Sequence, residues 1–204
     1  MPPSRPSPQV IALRGSATTI ADYLRYAIYL ILFLRGVYPI EDFMVIDKFD
    51  LELLIATNED LETYVTTVLS QVEQWVAVKA INQVVLVIVS KETKETLERW
   101  VFDVQTIDSS NQTTPKAEAD LYRDVHLMLA GIRGTNSMLS EIEEPTLCNI
   151  LAYVKADAES GELLGGWEEA QTHAAIDQDM SSEVKLKPAA TLLHRIQPTV
   201  VYRD

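Results

Sequence analysis

The chain has 204 residues and a mass of 22.9 kDa, room for one domain or at most two small ones. Apolar residues make up 47% and charged residues 23%, a globular balance that excludes a disordered tail or a collagen-like repeat as the main content. Acidic residues number 30 against 17 basic, a net charge of -13, which argues against a nucleic acid partner because phosphate binding needs clustered Lys and Arg; basic partners are mildly favoured.

From the N-terminus, MPPSRPSPQ has no apolar signal core, and its prolines predict a disordered arm over residues 1–9. Gln9 to Leu13 reads as a short strand. Ser16 is placed to cap a helix, since its hydroxyl can accept from a first-turn N–H. Ile20, Leu24, Ile28, Ile31 and Leu34 then recur at three and four, giving a central helix from Ala17 to Arg35 that Gly36 and Pro39 end. Within it the longest strongly apolar run, Tyr26 to Leu34, is too short to cross a bilayer, so no membrane is expected. Asp42–Phe49 and Leu51–Ala56 look like paired strands with Asp50 near the turn. Thr57 and Asn58 start a second helix whose buried stripe is Leu61, Tyr64/Val65, Val68/Leu69, Val72 and Trp75/Val76.

Val84 to Val89 is an unbroken apolar run, read as a strand covered on both faces. Lys91–Glu95 is a turn, and Leu97–Val104 returns as a hairpin partner. Leu121, Val125, Met128/Leu129 and Ile132 mark a third helix after a polar loop at Asp108–Pro115. Cys148–Val154 is a further strand, and Lys155–Gly166 an acidic mobile loop. Glu183–Lys187 alternates polar and apolar. Leu192–Ile196 and Thr199–Tyr202 suggest two last strand pieces. The whole is an α+β domain, three helices on a largely antiparallel sheet.

Enzyme templates fit badly. Cys148, the one cysteine, excludes an internal disulfide, makes a reducing compartment the default, and sits in an apolar run typical of a buried structural thiol. His126, His173 and His194 lack a second ligand at metal spacing. The seven glycines form no phosphate-cradling series. Glu141, Glu143 and Glu144 read as a solvated turn before a cation site. Trp75, Trp100 and Trp167 are core or binding anchors. No catalytic residue, metal or cofactor is expected.

Several stretches say more as a set. They are Leu13-Arg14-Gly15-Ser16-Ala17, Arg35-Gly36-Val37-Tyr38-Pro39, Val84-Val85-Leu86-Val87-Ile88 with Leu97-Glu98-Arg99-Trp100-Val101-Phe102-Asp103, Glu143-Glu144-Pro145 before Tyr153, Trp167-Glu168-Glu169, and Ser182-Glu183-Val184-Lys185-Leu186. In this order, from about Ile11 to Tyr202, the chain resembles the HORMA-domain family, in its spindle assembly checkpoint branch of mitotic arrest deficient two proteins. The resemblance implies a single HORMA domain over residues 10–204, with a core to about 154 and a mobile C-terminal safety belt over 155–204. It implies a non-enzymatic switch. In an open form the belt packs on the edge of the Cys148–Val154 strand. In a closed form it crosses the sheet, frees that edge, and encloses a short partner segment there. The implied partners are closure-motif peptides of the mitotic arrest deficient one kinetochore scaffold and of the anaphase-promoting-complex activator. An open–closed self-dimer, a comet adaptor and an AAA+ remodelling ATPase are further ones. The implied role is to help delay anaphase, in nucleus, at kinetochores and in cytoplasm. A HORMA adaptor of another assembly, in DNA repair, translesion synthesis or meiosis, is the alternative.

Carried over by position, Ile150, Leu151, Ala152 and Tyr153 form the peptide-binding edge, which Trp75 at the end of the second helix, and Val184 and Leu186 of the belt region, would support. Arg35 and Arg133 would serve self-association, with Ala130 in place of Arg133 if the short gap in this region precedes it. The physics is that of strand addition: an edge strand has unpaired N–H and C=O groups that a guest strand satisfies.

Overall fold

The computed structural model describes residues 8–48, 51–107, 118–155, 176, 181–191 and 193–203, with backbone only for 8–14 and 118–119. Three helices, α1 (Pro8–Leu34), α2 (Glu59–Ala77) and α3 (Glu118–Asn136), accompany strands β1 (Phe43–Lys48), β2 (Leu51–Ala56), β3 (Ile81–Ser90), β4 (Thr96–Thr106), β5 (Thr146–Val154), β6 (Ser181–Lys185), β7 (Ala189–Ala190) and β8 (His194–Arg203).

Helix α1 begins earlier than its sequence suggests. Gln9 to Leu13 is helical rather than a strand, and Ser16 lies inside the helix rather than at its cap. Pro8 suits the first helical position, where its missing N–H would have had no partner. Residues 1–7 of the expected arm lie outside the described residues; Pro8 and Gln9 belong to the helix. By length and composition Gly15–Leu34 is apolar enough to cross a membrane. Here it is the core helix: Ile20, Leu24, Ala27, Ile28, Ile31 and Leu32 are all fully buried. Gly36 ends it at φ 63°, and the Val37 N–H closes back on the Leu32 carbonyl at 3.1 Å. Helix α2 starts as expected, with the Asn58 side chain accepting from the Leu61 N–H at 3.0 Å.

β1 and β2 form a separate antiparallel pair. The main sheet has the order β5-β3-β4-β8-β6, with β7 also on β8, and every pairing is antiparallel. β3 is covered on both faces as expected. Val84, Leu86 and Ile88 join the core under the helices, and Val85, Val87 and Val89 form a second cluster with Val101 and Leu151.

The two tail strand pieces are one strand. β8 runs unbroken through Pro198, with Ile196 and Val200 fully buried between β4 and β6. The Pro198 carbonyl accepts from the Leu186 N–H on the β6 side at 3.0 Å, so its missing N–H also falls on that side, in the break between β6 and β7 where a donor is dispensable. The loops at 108–115 and 156–166, and Trp167 to Glu169, lie outside the described residues.

Candidate functional site: two borders of one sheet

The sheet ends differently on its two sides. Among the described residues β5 is the terminal strand of one side, and the chain's own C-terminal strands fill the other. On β5 the Ile150 N–H points away from β3 and donates to the Tyr64 hydroxyl of α2 at 3.0 Å. Strand alternation therefore turns the N–H and C=O groups of Cys148, Ile150 and Ala152 outward, while the odd residues pair with β3. Ile150, Cys148 and Ala152 pack toward the helices, and Leu151 packs on the opposite face. Tyr153 is 43% exposed, and its hydroxyl accepts from the Arg99 guanidinium at 3.1 Å. The four carried-over edge residues thus lie together on an outward border.

Two tyrosines line that border. Burial pushes the Tyr38 phenol up to about 12, helped by the neighbouring Cys148 thiol, to which it is hydrogen-bonded. Burial also raises the Tyr64 phenol, against the lowering effect of the Ile150 N–H, and raises the Cys148 thiol against its bond to Tyr38. Both hydroxyls and the thiol stay protonated near neutral pH, so this border is polar without being charged. Tyr64 counted in the sequence only as one position of a buried stripe; its reach to a strand far along the chain has no local signal.

The other carried-over residues lie elsewhere. Trp75 is 1% exposed inside the core at the end of α2, not on the border. Val184 and Leu186 point inward as their period of two requires, but on β6 and just beyond it, at the opposite side of the sheet from β5. Leu186 packs over Gly131 of α3.

That opposite border is latched. Ser16 of α1 reaches the Thr191 hydroxyl at 2.5 Å and His194 Nδ1 at 2.7 Å, across more than 170 residues of sequence. The Thr191 hydroxyl also accepts from the His194 N–H at 2.9 Å, and all three residues are buried. Asp124 of α3 accepts from the Ala190 N–H at 3.2 Å. Burial holds His194 below the ordinary value of 6.5, with Lys79 lowering it further and the Val76 carbonyl opposing. None of these partners is adjacent in sequence, which is why Ser16 read as a cap.

Arg35 is buried rather than presented on the surface. Its side chain is 5% exposed and ion-paired with Glu98 at 2.6 Å. It also donates to Asn136 Oδ1 at 3.0 Å and to the Ser140 carbonyl at 2.6 Å, tying the end of α1 to the end of α3. The Trp100 indole N–H donates to the other Glu98 oxygen at 2.9 Å. A buried guanidinium needs such a complete partner set, so its role here is internal. Arg133 and Ala130 are both exposed on α3, and Arg133 reaches the Glu52 carbonyl at 3.4 Å. Of the acidic turn, Glu144 accepts from the Ser90 hydroxyl. Among the described residues no three His, Cys, Asp or Glu side chains gather as a metal site. His126 is exposed, and His173 lies outside the described residues.

Comparison with known proteins agrees with this architecture. A HORMA-domain profile matches residues 16–148. The mitotic spindle checkpoint component mad2 of Schizosaccharomyces pombe is 32% identical over 94% of this chain and 94% of its own length. The chain belongs to the HORMA-domain family. The mitotic spindle assembly checkpoint protein MAD2A of Homo sapiens is 30% identical over 96% of this chain and 94% of its own. A chain of the crystal structure of the mitotic checkpoint complex superposes with a TM-score of 0.81 at 32% identity, over 93% of this chain and 99% of that one. This HORMA protein is therefore a spindle checkpoint protein. HTP-1 of C. elegans, bound to a HIM-3 closure motif, shares the fold at a TM-score of 0.77 and 13% identity, over 92% of this chain and 89% of its own.

Proposed function

We propose that this checkpoint HORMA protein works by capture rather than catalysis, taking a short extended segment of a partner as an added strand on β5. The strand order carries this reading: the chain's own tail occupies the β4 side, and among the described residues no strand pairs with the outward groups of Cys148, Ile150 and Ala152 on β5. A chain of the mitotic checkpoint complex and a HORMA domain holding a closure motif both share this fold, which supports the same use of the border. The guests are closure-motif segments of the mitotic arrest deficient one scaffold and of the anaphase-promoting-complex activator. Capture at kinetochores, and in nucleus and cytoplasm, contributes to the delay of anaphase. The arrangement corresponds to the closed form, and an open form would carry the tail on β5 instead. A guest bound only by the closed form shifts the balance by its differential affinity; about 5.5 kcal/mol moves a 1:99 population to 99:1. Exposed Arg133 is the basic group offered to an open copy, and a comet adaptor and AAA+ ATPase act on the closed form.

The test is a peptide array. Overlapping fluorescein-labelled peptides spanning the scaffold and the activator are titrated against the wild-type chain and Ala152→Pro. Proline at 152 removes an outward N–H and leaves the β3–β5 ladder intact, because that ladder uses the odd residues. Wild type should bind peptides from both proteins. Ala152→Pro should bind at least tenfold more weakly while its melting temperature stays near wild type. Absence of any binding peptide, or equal binding by Ala152→Pro, refutes capture at β5. Truncation at Thr191 is a poor substitute, because β8 contributes buried Ile196 and Val200 to the core.

A further inference from the structure

We infer that Tyr64 is a placeholder for the guest strand, a positioning residue whose hydroxyl holds the central acceptor site of the β5 border until a guest carbonyl displaces it. This inference rests on the reading of β5 as the capture edge.

The Ile150 N–H is the middle one of the three outward amides, and its acceptor is the Tyr64 hydroxyl at 3.0 Å, the length of an ordinary ladder bond. A strand added alongside β5 must bring a carbonyl oxygen to that same point. One N–H cannot serve two acceptors at full strength, so the phenol has to move aside. It is built to do so. Tyr64 stands on α2 beside the fully buried Leu61 and Val65, yet is itself 36% exposed, so its ring has solvent to swing into. Ile150 is 6% exposed, so without the phenol its N–H would sit in a poorly hydrated place with no acceptor among the described residues. Tyr38 stands at the neighbouring outward residue, against the Cys148 side chain.

Two consequences follow. The free border is protected from adventitious pairing at its centre, which an exposed edge strand otherwise invites. A guest exchanges one acceptor for another at Ile150, so this position adds less to affinity than its neighbours. Removing only the hydroxyl reverses that: in Tyr64→Phe the free form loses a bond that the guest restores. Binding should tighten about fivefold, the ratio that corresponds to one ordinary net hydrogen bond.

The experiment has two readouts. Amide hydrogen exchange by NMR follows the Ile150 N–H in the peptide-free chain, and fluorescence anisotropy follows the tightest scaffold peptide from the array. Expected in Tyr64→Phe are faster exchange at Ile150, about fivefold tighter binding and faster association. General damage to α2 would weaken binding, so a gain is specific to displacement. Faster exchange with unchanged or weaker binding overturns the placeholder and leaves capture at β5 standing. Unchanged exchange overturns it as well. If no peptide binds the wild-type chain, capture at β5 fails, and the placeholder falls with it.

Discussion

The two borders of the sheet have the same backbone chemistry and opposite fates. On the β4 side, the strand edge is satisfied by the chain's own C-terminal β8, which carries buried Ile196 and Val200, is latched through Ser16, Thr191 and His194, and has β6 as the terminal strand beyond it. On the β5 side, among the described residues, a side-chain hydroxyl meets the outward Ile150 N–H, and exposed Leu147 and Tyr153 stand beside it. The difference shows what separates structure from binding site in a sheet. A border becomes core when apolar side chains and a satisfied polar cluster cover it. It stays available when its cover is a single displaceable group.

The largest test of this contrast is a pair of truncations. Ile196→Ala should cost about 2–5 kcal/mol in urea denaturation, because it empties a fully buried site. Leu147→Ala, on the other border, should cost about 0.5 kcal/mol, since Leu147 is 44% exposed. Equal losses would mean that the tail strand on β4 is packed no more tightly than the β5 border.

Acid should act on one border only. Burial and Lys79 depress His194 in the folded chain, so as pH falls the unfolded chain takes up the proton first. The stability that His194 contributes is therefore complete above pH 6.5 and is lost as pH falls from there toward its folded value. The slope is at most about 1.4 kcal/mol per pH unit. The groups facing it are Ser16 from α1, Lys79 and the Val76 carbonyl from the end of α2, and Thr191 from the tail. Urea midpoints at pH 7.5 and 5.5 should fall further in wild type than in His194→Gln. Matching falls would remove His194 from the account.

The smallest effect on stability, within about 0.5 kcal/mol, is expected for Arg133→Glu, because the side chain is exposed at the end of α3. Its readout is association. Sedimentation should show weaker self-pairing, and an unchanged dimer would assign that surface elsewhere, for example around Ala130.

Much of the fold was legible because its signals are local. The three helical stripes, the two-faced apolar run of β3, the Asn58 cap and the Gly36 stop were each written within a few residues. Helix α2 ends less legibly: Lys79 takes the left-handed conformation at φ 60° where glycine would have announced it. The start of α1 misread as a strand because three β-branched or aliphatic residues stand between the proline-rich segment and Gly15. Pro198 split β8 on paper, since nothing local says that its missing donor faces a gap. Of the candidate site, the strand Ile150–Tyr153 was found by motif. Tyr64 and the Ser16–His194 latch depend on contacts between remote segments.

Sequence by itself determined the elements, the apolar faces and the family, because periodicity, caps and ordered motifs are carried by neighbouring residues. Only the tertiary structure decided which edge the chain's own tail covers: β8 lies on β4, and among the described residues β5 and β6 end the sheet. It also turned Arg35 from a surface candidate into a buried ion pair with Glu98. A strand edge has the same donors and acceptors wherever it lies, so what satisfies it is chosen by the packing of distant segments.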